Sequence, residues 1–362
     1  MIDQIFLLES PYVDCKAPCK YISSKNRYKV KNGVTMKNYK PPFEMNEQIA
    51  TLAAEIAELS GEISVYEGLT TNPILRRENR IKTIHSSLAI EQNTLSIGQV
   101  TDVIDGKRVL APPSDIKEVK NAYEIYEKLD RLNPYSIEDL LVAHRIMTKD
   151  LITESGMFRS GNAGVYDGEK LIHAGTPSNY IPEVMGNLFT WLKESNLHPL
   201  IKSCLFHYEF EFIHPFFDGN GRTGRLWHTL ILSKWKPFFA WVPIESLIHD
   251  NQQAYYDAIG ASNENENAND FVLFMLEIIK TALEDILMNA VDVGENVGEN
   301  VGETEEGILN LLDNNPRLSA VKIADKLKLS SRQVERIIRS LREEGRLVRH
   351  GANRGGFWEV RK

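Results

Sequence analysis

The chain has 362 residues, of which 42% are hydrophobic and 25% charged, with 23 Gly and 15 Pro. This composition excludes a collagen-like or wholly disordered chain and favours a soluble protein with two or three folded units. Acidic residues interrupt the apolar runs before the roughly 18 residues that a membrane helix needs, so we expect no contact with a membrane. The first residues lack a basic leader, which predicts a cytoplasmic protein.

The charge is unevenly distributed along the chain. The formal net charge is −8, yet residues 317–362 contain thirteen Lys or Arg and five Asp or Glu, a local charge of +8. The remaining residues, 1–316, therefore carry −16. An acidic body with a basic C-terminal unit indicates that this unit alone meets a polyanion such as nucleic acid.

Hydrophobic spacing predicts a mainly α-helical body. Residues 1–35 lack a clear period and are expected to be a poorly ordered lead. Apolar residues then recur at helical spacing. The predicted helices cover residues 46–61, 76–92, 97–103, 115–132, 136–149, 181–194, 198–213, 221–235, 250–261 and 267–290. Between residues 156 and 177, the Asp167-Gly168 dipeptide lies between short β-branched or aromatic stretches and predicts a small hairpin.

The C-terminal part begins after a repetitive segment. Residues 291–304 repeat the letters VGEN and are rich in Gly and acid, which predicts a linker. Three short helical patterns follow over residues 304–314, 321–327 and 331–344, and two short strands end the chain. This order predicts a winged helix-turn-helix domain over residues 305–362.

The strongest chemical signal lies at residues 214–225, HPFFDGNGRTGR, between two predicted helices. Pro215 ends the first helix, and the glycines allow a tight turn whose backbone amides point outward at the start of the next helix, an arrangement that binds anions. Arg222 and Arg225 add two guanidinium groups one turn apart, which suits a polyphosphate. Asp218 offers an oxygen ligand for Mg²⁺, and His214 is placed to accept a proton.

These residues resemble the HPFxxGNGRxxR signature of the Fic (Fido) family. The resemblance extends over most of residues 36–290 and implies an N-terminal helical domain at 36–113 and a catalytic core at 114–290. It also implies an adenylyltransferase that moves AMP from ATP to a Ser, Thr or Tyr hydroxyl of a target protein, with His214 as the base. By the same resemblance the nucleotide and its magnesium ion contact Asp218, Gly219, Asn220, Gly221, Arg222, Thr223, Gly224 and Arg225.

Further resemblances concern the flap and the base pocket. Residues 156–177 look like the family's flap, which would bind the target segment by strand addition near Ile172 and His173; a plain surface hairpin is the alternative. Tyr255, Tyr256 and Asn263 resemble the family's adenine-pocket positions, although aromatic residues more often pack in a core.

A second motif lies upstream, in SSLAIEQN at residues 86–93. It resembles the inhibitory motif [ST]xxxE[GN] of one Fic class, with Ser87 and Glu91 four residues apart on one helix face. By that resemblance Glu91 pairs with Arg225 and displaces the ATP γ-phosphate. Gln92 departs from the pattern, which has Gly or Asn there, and an exposed helix glutamate is the alternative interpretation.

In the C-terminal domain, Arg332, Arg336, Arg339 and Arg342 share one face of the last helix, and Arg346, Arg349 and Arg354 lie in the wing. This pattern favours duplex DNA as a partner, with a protein partner as the alternative. A DNA-binding regulator that only senses ATP stays open as a second function. Transfer of another phosphate-bearing group, removal of AMP, and a homodimer also stay open.

Overall fold

The structure is a computed structural model that describes residues 39–65, 72–162, 164–167, 170–294, 301–327, 331–343, 345–350 and 357–361. The predicted lead at 1–35 lies outside these residues. The chain divides into two compact units, one up to Leu287 and one from Met288. No helix in the described ranges is long and apolar enough to cross a membrane.

The first unit is helical, as the spacing of its apolar residues predicts. Its helices are α1 (Glu47–Val65), α2 (Pro73–Ile90), α3 (Ile97–Ile104), α4 (Pro113–Tyr126), α5 (Ile137–Met147), α6 (Ile181–Glu194), α7 (Pro199–Ile213), α8 (Asn220–Trp235), α9 (Ile244–Asp250), α10 (Gln252–Glu264) and α11 (Asn269–Gly294). Strands β1 (Gly164–Asp167) and β2 (Lys170–Ala174) form the expected antiparallel hairpin.

Several predicted helix ends are wrong. Helix α2 ends at Ile90 rather than at residue 92, and α4 ends at Tyr126, where a short 3-10 turn (Leu129–Arg131) follows. Helix α9 and the 3-10 segment Pro237–Trp241 were not predicted, because elements of seven and five residues are too short to show a period.

Helix α7 lies at the centre of the first unit. Thirteen of its fifteen residues are buried, on all sides of the helix, so it is enclosed by other elements rather than lying on the surface. Its closest neighbour is α8, against which Gly224 allows a tight approach: a Cβ at Gly224 would lie 3.2 Å from both His207 Cδ2 and Phe210 Cδ1. The α7–α8 pair therefore fixes the loop between them, residues 214–219, in place.

The second unit has the expected helix-turn-helix order. Helices α12 (Val301–Asn314), α13 (Ala320–Leu327) and α14 (Ser331–Glu343) precede the antiparallel strands β3 (Leu347–His350) and β4 (Phe357–Val360). A core shared by the three helices and β3 includes Ile308, Ile323, Val334, Leu341 and Leu347. Helices α11 and α12 extend into both ends of the predicted linker at 291–304, since α11 ends at Gly294 and α12 begins at Val301.

Candidate active site

The motif at residues 214–225 occupies the connection from α7 to α8. Helix α7 ends at Ile213 and is capped by His214, whose backbone is left-handed (φ 53°, ψ 62°) and whose N–H donates to the Phe210 carbonyl over 2.9 Å. Pro215 cannot continue the helix. Gly219, with φ 79°, then starts α8 at Asn220. His214 therefore caps α7, five residues before Gly219, which precedes α8.

Asn220 holds this loop closed. Its Oδ1 accepts from the Phe216 N–H and its Nδ2 donates to the Phe216 carbonyl, both over 2.9 Å. Both polar groups of the side chain are therefore used within the loop. The structure gives Asn220 a loop-shaping contact, whereas the sequence-based prediction assigned it to the nucleotide.

Arg159, which the sequence analysis did not single out, fastens the same loop to the base of the flap. Its Nε donates to the His214 carbonyl (2.8 Å), one Nη donates to the Gly161 carbonyl (2.7 Å), and the other donates to the Thr176 carbonyl. The side chain is 2% exposed. Burial lowers the pKa of Arg159 to about 10, so the guanidinium stays charged at neutral pH.

His144 supports the loop from α5. Its Nδ1 accepts from the Gly156 N–H over 2.9 Å, so the ring proton is on Nε2, which donates to the Asp218 carbonyl over 2.9 Å. The ring stacks on Phe216 at 3.7 Å between centroids. Burial lowers the pKa of His144 to about 4, which keeps it neutral. His207 and His228 are buried too.

Asp218 and Arg222 form an ion-paired group with a third residue. One Nη of Arg222 lies 3.0 Å from Asp218 Oδ1, and the other lies 2.7 Å from Oε1 of Glu118 on α4. Burial alone lowers the pKa of Arg222, but Asp218 and Glu118 outweigh it and hold the pKa above its ordinary value. Glu118 carries no local sequence signal, because its partner lies 104 residues away.

The Asp218 carboxylate is the group of this loop that could bind magnesium, and it could supply one oxygen. Its side chain is 44% exposed, and its ion pair with Arg222 uses Oδ1. The described part of the chain contains no group of three or more His, Cys, Asp or Glu that could hold a metal ion. The exposed carboxylate of Asp218 fits one oxygen ligand of a Mg²⁺, an ion that is usually bound through one or two carboxylates.

Arg225 is bound to the end of α2. Its Nε donates to Ser87 Oγ (3.1 Å), and its Nη2 donates to the Ser87 carbonyl (2.9 Å) and to Glu91 Oε1 (2.7 Å). Arg225 is 2% exposed and Glu91 31%. Burial by itself lowers the pKa of Arg225, but the pair with Glu91 raises it above its ordinary value. The structure thus brings Ser87, Glu91 and Arg225 together.

The Glu91 carboxylate also covers the first turn of α8. A Cβ built on Gly221 would lie 2.2 Å from Glu91 Oε1, so the glycine makes room for the carboxylate. Glu91 itself follows the last residue of α2 rather than lying within it. The next residue, Gln92, has φ 68°, the left-handed conformation that favours Gly or Asn at a helix end.

Two further residues of the motif lie inside the fold. Thr223 is fully buried, and its N–H donates to the Gly219 carbonyl over 3.0 Å. Gly224 faces α7, where a Cβ would also meet Glu211 Oε1 at 2.7 Å. Burial raises the pKa of Glu211 to about 8, although the nearby Arg225 guanidinium lowers it. Glu211 was not singled out in the sequence.

The residues predicted for the base pocket are divided between core and surface. Tyr255 is 2% exposed, and its hydroxyl lies 3.2 Å from His207 Nε2. Tyr256 contacts Tyr255 edge to face at 5.3 Å and is half-buried. Asn263 Oδ1 accepts from the Tyr208 hydroxyl over 2.9 Å. Tyr255 is thus enclosed among core side chains, whereas Tyr256 reaches the surface.

The flap residues Ile172 and His173 lie in β2, where His173 pairs with Val165 of β1. The structure describes the backbone here, and the side chains of 163–174 lie outside the described part. In the second unit, the side chains of Arg332 and Arg336 and all of Arg354 also lie outside it.

A helical unit with the loop of residues 214–219, followed by a winged helix-turn-helix unit, defines the class of protein, and comparison with known proteins gives the family. Residues 132–232 match the Fic/DOC family, and residues 303–348 match a family described as winged helix-turn-helix DNA-binding. A crystal structure of a Fic family protein from Desulfovibrio desulfuricans G20 is 40% identical, with a TM-score of 0.68 over 89% of this chain and 98% of that one. The chain belongs to the Fic family.

Curated relatives share less of the chain. The protein adenylyltransferase fic-1 of Caenorhabditis briggsae is 28% identical over 192 residues, which cover 49% of this chain and 37% of that protein. The protein adenylyltransferase Fic of Drosophila willistoni is 26% identical over 291 residues, which cover 76% of this chain and 54% of that protein. The chain therefore spans about a third to a half of these relatives.

Proposed function

We propose that this protein is an adenylyltransferase that transfers AMP from ATP to a hydroxyl group of a target protein. The hydroxyl oxygen forms a bond to the α-phosphorus, the bond from that phosphorus to the bridging oxygen of the β-phosphate breaks, and pyrophosphate leaves. His214 takes the hydroxyl proton. The transfer needs no other reactant.

One observation carries this proposal: the loop of residues 214–219 holds a histidine next to a helix N-terminus that is followed by two arginines. A binding site for phosphate alone needs the helix N-terminus and the cations, but it has no use for a base at its edge. The rigid support of the loop by Asn220 and Arg159 suits a reaction that depends on positioning. The curated relatives named as protein adenylyltransferases support the same reaction.

In this proposal Asp218 is the residue that would bind magnesium. A bound Mg²⁺ would neutralise phosphate charge during transfer of the AMP group. Asp218 would hold it with one oxygen, and Arg222 beside it would keep the carboxylate oriented by their 3.0 Å contact. The backbone amides of the first turn of α8 would bind the remaining phosphate oxygens.

Self-inhibition by Glu91 is part of the same proposal. Its carboxylate pairs with Arg225 at 2.7 Å and lies against Gly221. A carboxylate at a helix N-terminus uses the amides and the cation that a phosphate would use, and it also repels the triphosphate. ATP would therefore bind in the reactive position only when Glu91 moves away.

The flap gives the target segment a place to bind. A peptide that pairs with an edge of the β1–β2 hairpin would extend this two-stranded sheet, with Ile172 and His173 of β2 near the reacting hydroxyl. Backbone pairing of this kind holds an extended segment without requiring one particular side chain.

Mass spectrometry of the full chain and of a lysate tests this function after incubation with ATP and Mg²⁺. We expect the Glu91→Gly variant to add the mass of AMP to a residue with a hydroxyl group. The rate of this labelling should be roughly 10²–10⁴-fold lower in Glu91→Gly/His214→Ala than in Glu91→Gly. A half-buried histidine of α9 provides the matched control, Glu91→Gly/His249→Ala, which should label like Glu91→Gly. A different added mass, or loss of AMP from modified proteins, would favour the other reactions that this site could perform.

A second function, binding of duplex DNA, is supported by the winged helix-turn-helix match and by exposed Arg339 and Arg342 on α14. We expect the 362-residue chain to shift duplex DNA with an affinity that falls with salt, and Arg339→Gln/Arg342→Gln to flatten that dependence. Lys193→Gln/Lys149→Gln, which removes two exposed cations from the first unit, is the control. Absence of binding at low salt would favour a protein partner for this domain.

A further inference from the structure

The C-terminal end of α2 needs donors for its last carbonyl groups. The helix ends at Ile90, so these carbonyls have no partner in a following helical turn. The chain that follows supplies donors for part of them. The N–H of Asn93 donates to the Leu88 carbonyl over 3.1 Å, and the N–H of Gln92 donates to the Ala89 carbonyl over 3.0 Å. The other carbonyls of this end are bound by side chains from other helices.

Arg225 of α8 and Gln252 of α10 supply these side-chain donors. Arg225 Nη2 donates to the Ser87 carbonyl over 2.9 Å. Gln252, the first residue of α10, donates from Nε2 to the Ile90 carbonyl over 3.1 Å. Ile90 is 3% exposed, so water has little access to its carbonyl. Loss of the Gln252 donor would therefore leave a carbonyl without a hydrogen bond in a buried position, which is costly.

The side chain of Gln252 is held by its neighbours on α10. Gln252 is half-buried. Burial and the Glu91 carboxylate raise the pKa of the Tyr256 hydroxyl, and a hydrogen bond with Gln252 lowers it, so Gln252 and Tyr256 are in contact one turn apart. Tyr256 in turn packs edge to face on the buried Tyr255, 5.3 Å between ring centroids. The donor that reaches Ile90 therefore comes from a packed side chain.

The bond to Ile90 also fixes the residue that follows it. The Ile90 carbonyl and the Glu91 N–H belong to one planar peptide unit, so holding the carbonyl oxygen orients the backbone that leads into Glu91. We propose that Gln252 is a positioning residue of self-inhibition, which holds this peptide unit and so keeps the Glu91 carboxylate against Arg225. This role rests on the self-inhibition by Glu91 proposed above. If Arg225 turned to a phosphate, Gln252 would still hold the end of α2, and Glu91 could return.

Hydrogen exchange tests the hold on the helix end without any measurement of activity. It is followed by mass spectrometry on a peptide that covers residues 86–93 of the 362-residue chain. Gln252→Met keeps the length of the side chain and removes the donor, so we expect the amides of this peptide to exchange roughly two- to tenfold faster. Gln253→Met is the matched control, because Gln253 is exposed and donates to Asp257 within α10. Equal exchange in Gln252→Met and the parent would overturn the proposal.

AMP labelling tests whether this hold matters for inhibition. Gln252→Met should label roughly two- to tenfold faster than the parent, as the loss of one uncharged hydrogen bond implies. Glu91→Gly/Gln252→Met should label like Glu91→Gly, because a residue that acts through the Glu91 carboxylate has no effect once that carboxylate is gone. Gln253→Met should label like the parent. A purely structural role of Gln252 would instead lower the rate in both backgrounds.

The remaining outcomes separate this role from the transferase function. A change in rate caused by Gln252→Met within the Glu91→Gly background would mean that Gln252 acts on the nucleotide itself, for example through Tyr256, and would overturn the proposal. Absence of AMP labelling by Glu91→Gly would refute the transferase function. The exchange measurement would then decide by itself whether Gln252 holds the end of α2.

Discussion

Arg225 and Glu91 are 134 residues apart in sequence, yet the Arg225 Nη2 donates to the Glu91 carboxylate over 2.7 Å. Two more bonds from the same guanidinium reach Ser87, one to its hydroxyl and one to its carbonyl. The end of α2 is thus fastened to the first turns of α8 by a single buried side chain. Any change in the Glu91 carboxylate acts directly on the group expected to bind the γ-phosphate.

Glu91→Gly is expected to raise AMP transfer at least about tenfold, because a tenfold gain needs only about 1.4 kcal/mol and a close, partly buried charge pair can supply it. The rate is measured as AMP incorporation by mass spectrometry. Gln92→Gly is the matched control, since it adds a glycine at the same helix end and keeps the carboxylate. Equal rates for Glu91→Gly and the parent, with Arg225→Ala inactive, would refute self-inhibition while leaving the transferase proposal intact.

Gln92→Gly should stabilise the first unit by roughly 0.5–1 kcal/mol, because Gln92 holds φ 68° and glycine adopts this conformation without steric cost. Urea unfolding monitored by circular dichroism measures the change. Gln99→Gly serves as control within helix α3, where glycine should destabilise. A loss of stability in Gln92→Gly would mean that the glutamine side chain makes a contact that outweighs the backbone strain.

Arg159→Met should destabilise the protein by about 3 kcal/mol or more, since it removes the donors that serve three backbone carbonyls, two of them at buried contacts. The loop of residues 214–219 would then lose its hydrogen bonds to the base of the flap. The rate of AMP transfer should therefore be lower in Glu91→Gly/Arg159→Met than in Glu91→Gly. Thermal unfolding and the labelling rate are the two readouts. Arg131→Met, an exposed arginine in a 3-10 turn, should change neither.

The elements that were predicted correctly are the helices in which apolar residues repeat over several turns, and the loop whose residues form a dense motif. The central helices, the 214–225 loop and the meeting of Glu91 with Arg225 were predicted, the last through a resemblance and not through spacing. Glu118, Arg159 and Glu211 were missed, because each acts on a residue that only the packing of helices brings near. A lone Arg or Glu carries no local pattern that distinguishes a buried partner from an exposed one.

The end of α2 is an instructive case. The period of apolar residues extended the helix to residue 92, yet the chain turns at Glu91, and Gln92 takes the left-handed conformation. Residue preference at Gln92 gave no warning, because glutamine is a good helix former. The contact of Glu91 with Arg225 and the loop that follows outweigh the helix preference of Gln92. For this reason the sequence does not reveal that α2 ends at Ile90.

Glu211 predicts a dependence of stability on pH. Burial raises the pKa of its carboxyl group to about 8 from an ordinary value of 4.5. Between these two values the folded chain binds a proton that the unfolded chain has lost, so stability falls as the pH rises from about 4.5 to 8. Glu211→Gln cannot ionise and keeps a similar shape, so it escapes this loss.

We therefore expect Glu211→Gln to be more stable than the parent at pH 8, by an amount on the order of 3 kcal/mol, and to differ little from it near pH 5. Urea unfolding at both pH values measures this, and Glu194→Gln, at an exposed position of α6, should give the same small difference at both.

The Glu91 carboxylate raises the pKa of Glu211 and Arg225 lowers it. Glu91→Gly should hence lower the pKa of Glu211 and shrink the pH 8 advantage of Glu211→Gln, because the neutral form is then favoured less. An unchanged advantage in that background would mean that the Glu91 carboxylate does not act on the pKa of Glu211.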